Sequence, residues 1–239
     1  TLKAFQEIAR EYRRSFENLK VFAITGSNGK TSTKDLLAAC LGAKYNVVKT
    51  QGNFNNEIGL PLTLFKLDET SQVAVIEMGM NHFGEIHNLT TTALPDVAVI
   101  TNVGTSHIEN LGSREGILKA KLEILDGLKS NGLLVINGDN DLLSTVKNLP
   151  VQTVTYGLNS KNDYWADHIV SEGMYTCADV MTPNHQYKIR IKALGEHMVY
   201  NTLAAIAIAE HYHLNEEGCL ECGKKRQTVN QYKVPVQNQ

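Results

Sequence analysis

The string Thr25-Gly26-Ser27-Asn28-Gly29-Lys30-Thr31 follows a short apolar run, Val21 to Thr25, and opens a stretch of helical spacing from Thr31 to Leu41. A strand, a glycine-rich turn and a helix in that order restrict the fold more than any other feature of the chain. Glycine lets the turn close tightly and bring backbone N–H groups against phosphate oxygens. The helix N-terminus adds positive potential at the same point. The residues read as phosphate-binding are Thr25, Gly26, Ser27, Asn28, Gly29, Lys30, Thr31 and Ser32. In such a loop the Lys30 ammonium reaches the β- and γ-phosphates and the Thr31 hydroxyl ligates Mg²⁺. The long form of the motif needs glycine five residues before Gly29; Ile24 stands there, so the match is to the shorter G-x-x-G-K-T. A turn that merely caps a helix is the alternative, and the strand before Gly-Lys-Thr argues against it.

Further apolar runs alternate with helical stretches. Asn46 to Lys49, Val73 to Ile76, Asp96 to Thr101 and Leu133 to Ile136 read as strands, and Gly116 to Leu128 as a helix. Continuous apolar strands between helices imply a parallel sheet covered on both faces, an α/β fold. From about residue 151 the pattern changes. Gln186 to Lys192 alternates apolar and basic residues, as a half-exposed antiparallel strand does, and Val199 to Tyr212 reads as an Ala-rich helix. Leu2, Phe5, Ile8, Ala9, Tyr12 and Phe16 give residues 1–20 an apolar helical stripe.

Composition narrows the class. Twenty-three Lys and Arg against 25 Asp and Glu give a net charge of −2, which argues against a general nucleic-acid or membrane-surface binder. No apolar run approaches the ~20 residues of a membrane span, and the first residues lack a signal-peptide core. Four cysteines in 239 residues do not make a disulfide scaffold. A soluble cytoplasmic protein is the expectation. Cys40 and Cys177 read as core residues. The pair Cys219 and Cys222, with His211 and His213 nearby, lacks the second C-x-x-C of a common zinc site.

A phosphate loop needs an acidic partner for its metal. Glu77 ends the Val73 to Ile76 run, and in an open parallel sheet ligands bind outside the carboxyl ends of the strands. A strand-end surface acid is the alternative. The run ending in Thr101 continues through Asn102, Gly104 and Ser106 to His107, a candidate metal ligand or acid/base group at the same edge. A structural histidine is the plainer reading of His107. His82 and His87 flank Phe83-Gly84-Glu85 without a distinguishable role.

These pieces together resemble one family. Thr25 to Thr31, Glu77-Met78-Gly79, His107 and Ala120-Lys121 are similar to the central domain of the Mur ligases, whose relatives include folylpolyglutamate synthetase. Gly52 to Thr63 and Glu77 to Met80 resemble the branch that adds D-alanyl-D-alanine, and Leu194 to Ala205 resembles the family's element near the adenine. The resemblance runs from about residue 1 to about 213. It implies a P-loop NTPase-like three-layer domain, a mostly parallel sheet with an antiparallel extension. It also implies a division into 1–20, a linker helix from an absent N-terminal domain; 21–213, the ATP-binding central domain; and 214–239, an atypical polar tail, with the C-terminal ligase domain absent. Met198 stands where many members carry Asn.

The activity implied is ATP-dependent amide formation in peptidoglycan precursor synthesis. A substrate carboxylate takes the γ-phosphate to give an acyl phosphate, and an amine then attacks the acyl carbon. The implied partners are UDP-MurNAc-tripeptide and D-Ala-D-Ala, with ATP and Mg²⁺ as cofactors, no nucleic acid, no membrane, and a monomeric chain. The implied catalytic residues are Lys30, Glu77, His107 and Lys121. Thr31 and Glu77 would hold one magnesium ion and His107 a second, with Lys121, as a carbamate, ordering the metal site. Lys119 is the competing lysine, on another face of the helix. Asn201 and His197 are implied nucleoside contacts, with helix capping as the plainer reading. Asn53, Asn55 and Asn56 are candidates for the substrate or the metal shell, with turn chemistry as theirs. Another Mur-type or folylpolyglutamate-type ligase, a nucleotide-dependent switch or transport ATPase, and a nucleotide-binding fragment without activity are the competing functions.

Overall fold

The computed structural model describes residues 1–212 and the backbone of 231–234. The candidate cysteine pair Cys219 and Cys222, His213 and most of the 214–239 tail lie outside the described residues.

The chain runs α1 (Leu2–Arg14), β1 (Lys20–Thr25), α2 (Lys30–Gly42), β2 (Val47–Lys49), α3 (Gly59–Leu64), β3 (Val73–Glu77), α4 (Glu85–Ala93), β4 (Val97–Ile100), α5 (Ile108–Leu111), α6 (Arg114–Leu122) and β5 (Leu133–Asn137). It continues through β6 (Gln152–Gly157), β7 (Tyr164–Glu172), β8 (Tyr175–Met181), β9 (Gln186–Ile191) and α7 (Glu196–His211), with β10 (Gln231–Val234) beside β9. The sheet order is β10-β9-β8-β7-β6-β5-β4-β1-β3-β2. β2 to β6 pair in parallel with β1 among them, and β8 is antiparallel to both β7 and β9. The α/β fold, mostly parallel with an antiparallel extension, is as expected.

Period-two alternation splits the core into two layers. Phe22, Ile24, Val75, Val99 and Val135 meet α2 and α7 on one face; Val21, Ala23, Ile76, Ile100 and Ile136 meet α3, α4 and α6 on the other. β1 and β3 are therefore apolar throughout, apart from their ends. On α2, Leu36, Leu37 and Leu41 are buried, each contributing roughly 1.5–3 kcal/mol by removal from water. No helix among the described residues is long and apolar enough to cross a membrane.

The N-terminal helix packs on the domain. Phe5 and Tyr12 meet Phe65 at 5.5 and 5.7 Å, while Leu2 and Ile8 of the same stripe remain exposed. Arg13 is buried and donates to the carbonyls of Ala93 at 3.1 Å and Leu94 at 3.5 Å. These are free carbonyls at the end of α4, so α1 caps another helix with a charge of the favourable sign.

Sequence periodicity missed α3 and α4. α3 has six residues and contains Pro61. α4 carries Thr90, Thr91 and Thr92, poor helix formers, and depends on a neighbour: the Glu123 carboxylate accepts from the N–H groups of Gly84 at 2.9 Å and His87 at 3.2 Å. That contact also explains why the helix expected to reach Leu128 stops at Leu122 and continues as a 3₁₀ turn over Glu123–Gly127. Glu123 faces α4, and a Cβ at Gly127 would overlap the Thr90 carbonyl. Cys40 is half-buried and packs against the core, whereas Cys177 is half-buried outside it, its thiol 3.5 Å from the Glu172 carboxylate.

Candidate active site

The site lies at the carboxyl ends of β1, β3 and β4, with β1 between the other two. The loop leaves β1 through Gly26 and enters α2 through Gly29. Both glycines are required by close approach as well as by backbone angle. Gly26 has φ 151°, and a Cβ there would overlap the Thr101 hydroxyl. Gly29 has φ 82°, and a Cβ would meet Asn201 Oδ1 at 2.8 Å.

The end of β4 holds the loop in place. Asn102 Oδ1 accepts from the N–H groups of Ser27 and Asn28, both at 2.9 Å. The Thr101 hydroxyl donates to the Asn28 carbonyl at 2.5 Å, and the Gly104 N–H donates to Ser27 Oγ at 2.9 Å. The loop shape is thus fixed by tertiary contacts as much as by its glycines. The Thr25 hydroxyl is buried beneath it without a hydrogen-bond partner among the described residues. Ser32, half-buried, sits in the first turn of α2.

Lys30 Nζ donates to the carbonyls of Gly26 at 2.9 Å and Ser27 at 3.4 Å. Burial pulls its pKa below the ordinary lysine value, and the negative charge of Glu77 opposes that pull. Thr31 Oγ1 donates to Glu77 Oε2 at 2.9 Å, and Asn55 Nδ2 donates to Glu77 Oε1 at 2.9 Å. The Glu77 N–H in turn donates to Thr50 Oγ1 at 3.0 Å. Glu77 is buried, 2% exposed, which separates it from a strand-end surface acid.

Lys34 is the residue that sequence reading missed. It lies one helical turn after Thr31, is 2% exposed, and brings Nζ to 3.6 Å from Glu77 Oε2. A signal was available: Lys34 falls at i, i+3, i+7 with Leu37 and Leu41, a lysine on an apolar stripe. Asn102 carried a fainter one, as a polar residue two positions after the fully apolar strand Val97–Ile100.

Lys121 and Lys119 separate cleanly. Lys121 is 2% exposed on the face of α6 that buries Ile117 and Ala120, and its ammonium has no hydrogen bond or ion pair among the described residues. Burial first, and then the positive charge of Lys30, bring its pKa down to about 7. Lys119 is exposed, with Nζ 5.8 Å from the centre of the Phe83 ring. His107 precedes α5 at φ 65° and is exposed, three residues beyond the Gly104 contact with the loop.

The other expected residues divide. Asn55 reaches Glu77, as above. Asn56 Oδ1 accepts from the N–H groups of Ile58 at 3.1 Å and Gly59 at 2.9 Å, starting α3, and Asn53 is exposed in the same loop. Asn201 is buried; its Oδ1 accepts from the Thr33 hydroxyl at 3.2 Å, joining α7 to α2 beside Gly29. Met198 Sδ stands 3.9 Å from Asn201 Nδ2. His197 is exposed, its ring folded back over Gly195. Tyr200 OH donates to Asp139 Oδ2 at 3.0 Å and ties this first turn of α7 to the end of β5.

A hydroxyl, a carboxylate and no sulfur make an oxygen donor set at Thr31 and Glu77, which suits a hard cation such as magnesium. A cradle that any Cβ at Gly26 or Gly29 would fill suits a phosphate against the backbone.

Comparison with known proteins agrees with this geometry. Residues 24–209 match the Mur ligase middle domain. The chain is 46% identical over 217 residues to the UDP-N-acetylmuramoyl-tripeptide–D-alanyl-D-alanine ligase of Bacillus subtilis, covering 91% of this chain and 46% of that protein. The solved structure of MurF from Acinetobacter baumannii superposes with a TM-score of 0.87 at 31% identity, covering 96% of this chain and 51% of that one. MurF ligase from Thermotoga maritima, solved in complex with ADP, gives a TM-score of 0.84 at 29% identity, with 95% and 53% covered. The chain spans about half the length of these relatives.

Proposed function

The chain belongs to the Mur ligase middle domain family, and from that premise we propose that it is the ATP-binding unit of an ATP-dependent amide ligase of peptidoglycan precursor synthesis, one that joins D-Ala-D-Ala to UDP-MurNAc-tripeptide. The observation that carries this reading is the meeting of Thr31 and Glu77 across the ends of β1 and β3, directly beneath the glycine loop. The Bacillus subtilis relative carries the substrates in its own name, and 46% identity over most of this chain supports the same pair here.

Bound ATP·Mg²⁺ supplies a transferable γ-phosphoryl group that activates a carboxylate, and the metal neutralises charge on it. The protein's part is to position and to neutralise. The N–H groups of the loop and of the first turn of α2 would face phosphate oxygens, with Thr25, Ser27, Asn28 and Ser32 around them. Lys30 would exchange its bonds to the Gly26 and Ser27 carbonyls for the outer phosphates. Thr31 and Glu77 would hold magnesium, with Asn55 fixing the second Glu77 oxygen. His107, on the adjacent loop, is the candidate ligand of a second ion. Asn201 and His197 flank the nucleoside side, and Asn53 and Asn56 the substrate side, in the same proposal. Lys121 would act as a carbamate: carbon dioxide adds to the nitrogen of a neutral amine as one N–H proton leaves to solvent, and a buried lysine with a pKa about 7 supplies such an amine near neutral pH.

The proposed division of labour follows: 21–213 binds the nucleotide, 1–20 links to a further domain, and 214–239 has no assigned part. A monomeric enzyme in the cytoplasm completes the reading. Isothermal titration of this chain with ATP and magnesium tests its core. Saturable, magnesium-dependent heat that disappears in Lys30→Ala is the expected result, and its absence in the unaltered chain overturns the proposal. Replacing the matching segment of the Bacillus subtilis relative with this one tests the ligase reading. Pentapeptide product detected by mass spectrometry supports it; ATP binding without product favours a different amide ligase.

A further inference from the structure

We propose that Lys34 is a built-in counter-cation for Glu77, a positioning residue that holds the carboxylate in place and opposes the binding of a divalent cation beside it. The inference rests on the reading of Thr31 and Glu77 as the metal-holding pair.

The geometry is specific. Thr31 and Lys34 are three residues apart on α2, so both side chains leave the same face of the helix. Both address one atom: Thr31 Oγ1 lies 2.9 Å and Lys34 Nζ 3.6 Å from Glu77 Oε2. The two side chains of the ion pair are 2% and 3% exposed, so neither charge is answered by bulk water. A neutral donor, Asn55, takes the other Glu77 oxygen. Lys30 also feels the Glu77 charge, yet its ammonium donates to loop carbonyls. Asp35 lies 3.7 Å from Lys34 Nζ, but it is half exposed and has its own cation in Lys49 at 2.8 Å. Glu77 is therefore the buried partner of Lys34, and Lys34 that of Glu77.

A carboxylate that deep without a cation is strongly destabilising. Lys34 supplies that cation from the chain itself, and the oxygen it faces is the one shared with the Thr31 hydroxyl. An ion held by that pair would sit within a few ångströms of the ammonium and be repelled by it. Lys34 thus trades metal affinity for a carboxylate already in position, and it makes the protein less dependent on metal for its stability.

Competition of this kind separates the proposal from a lysine that only fills space. Free Mn²⁺ is measured by electron paramagnetic resonance in titrations with ADP, using this chain, Lys34→Met, and the double variant Lys34→Met/Glu77→Gln. Lys34→Met is expected to melt earlier without metal, to bind Mn²⁺ about tenfold more tightly with ADP present, and to gain a larger thermal shift from it. The double variant, with neither charge, is expected to recover thermal stability and lose the metal response. Unchanged or weaker Mn²⁺ binding in Lys34→Met, while the unaltered chain binds normally, overturns the inference alone. No Mn²⁺·ADP binding by the unaltered chain overturns the metal-holding pair and the inference with it. If Lys34→Met does not fold, folding of the double variant supports the proposal, and failure of both assigns Lys34 to packing.

Discussion

Thr31 Oγ1 and Glu77 Oε2 lie 2.9 Å apart, although 46 residues separate them in the chain. One stands in the first turn of α2 and the other closes β3. Parallel pairing of Ile24 with Glu77 sets the ends of β1 and β3 side by side, and the loop after β1 carries Thr31 back over the strand end. The pair owes its geometry to sheet register, so changes around it act through position as well as charge.

Lys30→Ala removes the positive charge that the loop holds through the Gly26 and Ser27 carbonyls. In a full-length ligase carrying this segment, turnover is expected to fall on the order of 10²–10³-fold, the usual loss for one preorganised charge. Melting should change little, since among the described residues the Lys30 ammonium bonds to two carbonyls of its own loop. Near-normal turnover would remove Lys30 from the phosphate site.

Asn102→Ala should weaken ATP binding without unfolding the domain, because the N–H groups of Ser27 and Asn28 lose the acceptor that shapes the loop. Asn102→Asp keeps the acceptor but adds a negative charge beside the phosphates. Calorimetry is expected to show weaker binding for Asp than for Ala. The reverse order would mean that loop shape matters more than field.

Lys121 gives a pH signature. Its pKa is about 7 in the folded protein against 10.5 for an ordinary lysine. Between those values the unfolded chain holds a proton that the folded chain lacks, so this residue makes stability rise with pH from about 7 to 10.5 and contributes no slope below. The total is on the order of a few kcal/mol. Urea denaturation across that range should show a shallower rise in Lys121→Met. In a full-length ligase Lys121→Ala should lower activity, with partial recovery on adding short-chain carboxylic acids, and Lys119→Ala should be mild. Equal effects at the two lysines would end the carbamate reading.

Arg13→Ala should cost about 2–4 kcal/mol, because it strips the donors from the carbonyls of Ala93, Leu94, Phe16 and Leu19 in a buried setting. Denaturation reads the loss directly. ATP affinity should hold, since α1 lies on the face of the sheet away from α2. A loss under about 0.5 kcal/mol would show that α1 contributes little to the domain.

The order of strands and helices in the parallel part of the sheet was legible because each central strand is apolar throughout and each turn carries its own chemistry. The glycine loop, Lys30, Thr31 and Glu77 were legible for a related reason: a strand end followed by a special turn is a local pattern. Recognition of a family by its ordered motifs picked out Lys121, and no local rule distinguished it from Lys119. What separates the two lysines is which face of α6 meets the core, and that is settled by Ile117 and Ala120 packing under the sheet. The short helices α3 and α4 escaped because their stability comes from Asn56 and Glu123 rather than from periodicity.

Sequence alone determined the fold class, the place of the glycine loop and the candidate carboxylate at a strand end, because backbone angles, periodicity and strand ends are properties of neighbours in the chain. Tertiary structure alone decided that Asn102 shapes the loop, that Lys34 meets Glu77 and that Lys121 stands without a partner among the described residues. Those facts depend on burial and on distances between residues far apart in sequence. The energy of a charge is set by the dielectric and the partners around it, and both exist only once the sheet and its helices have closed over it.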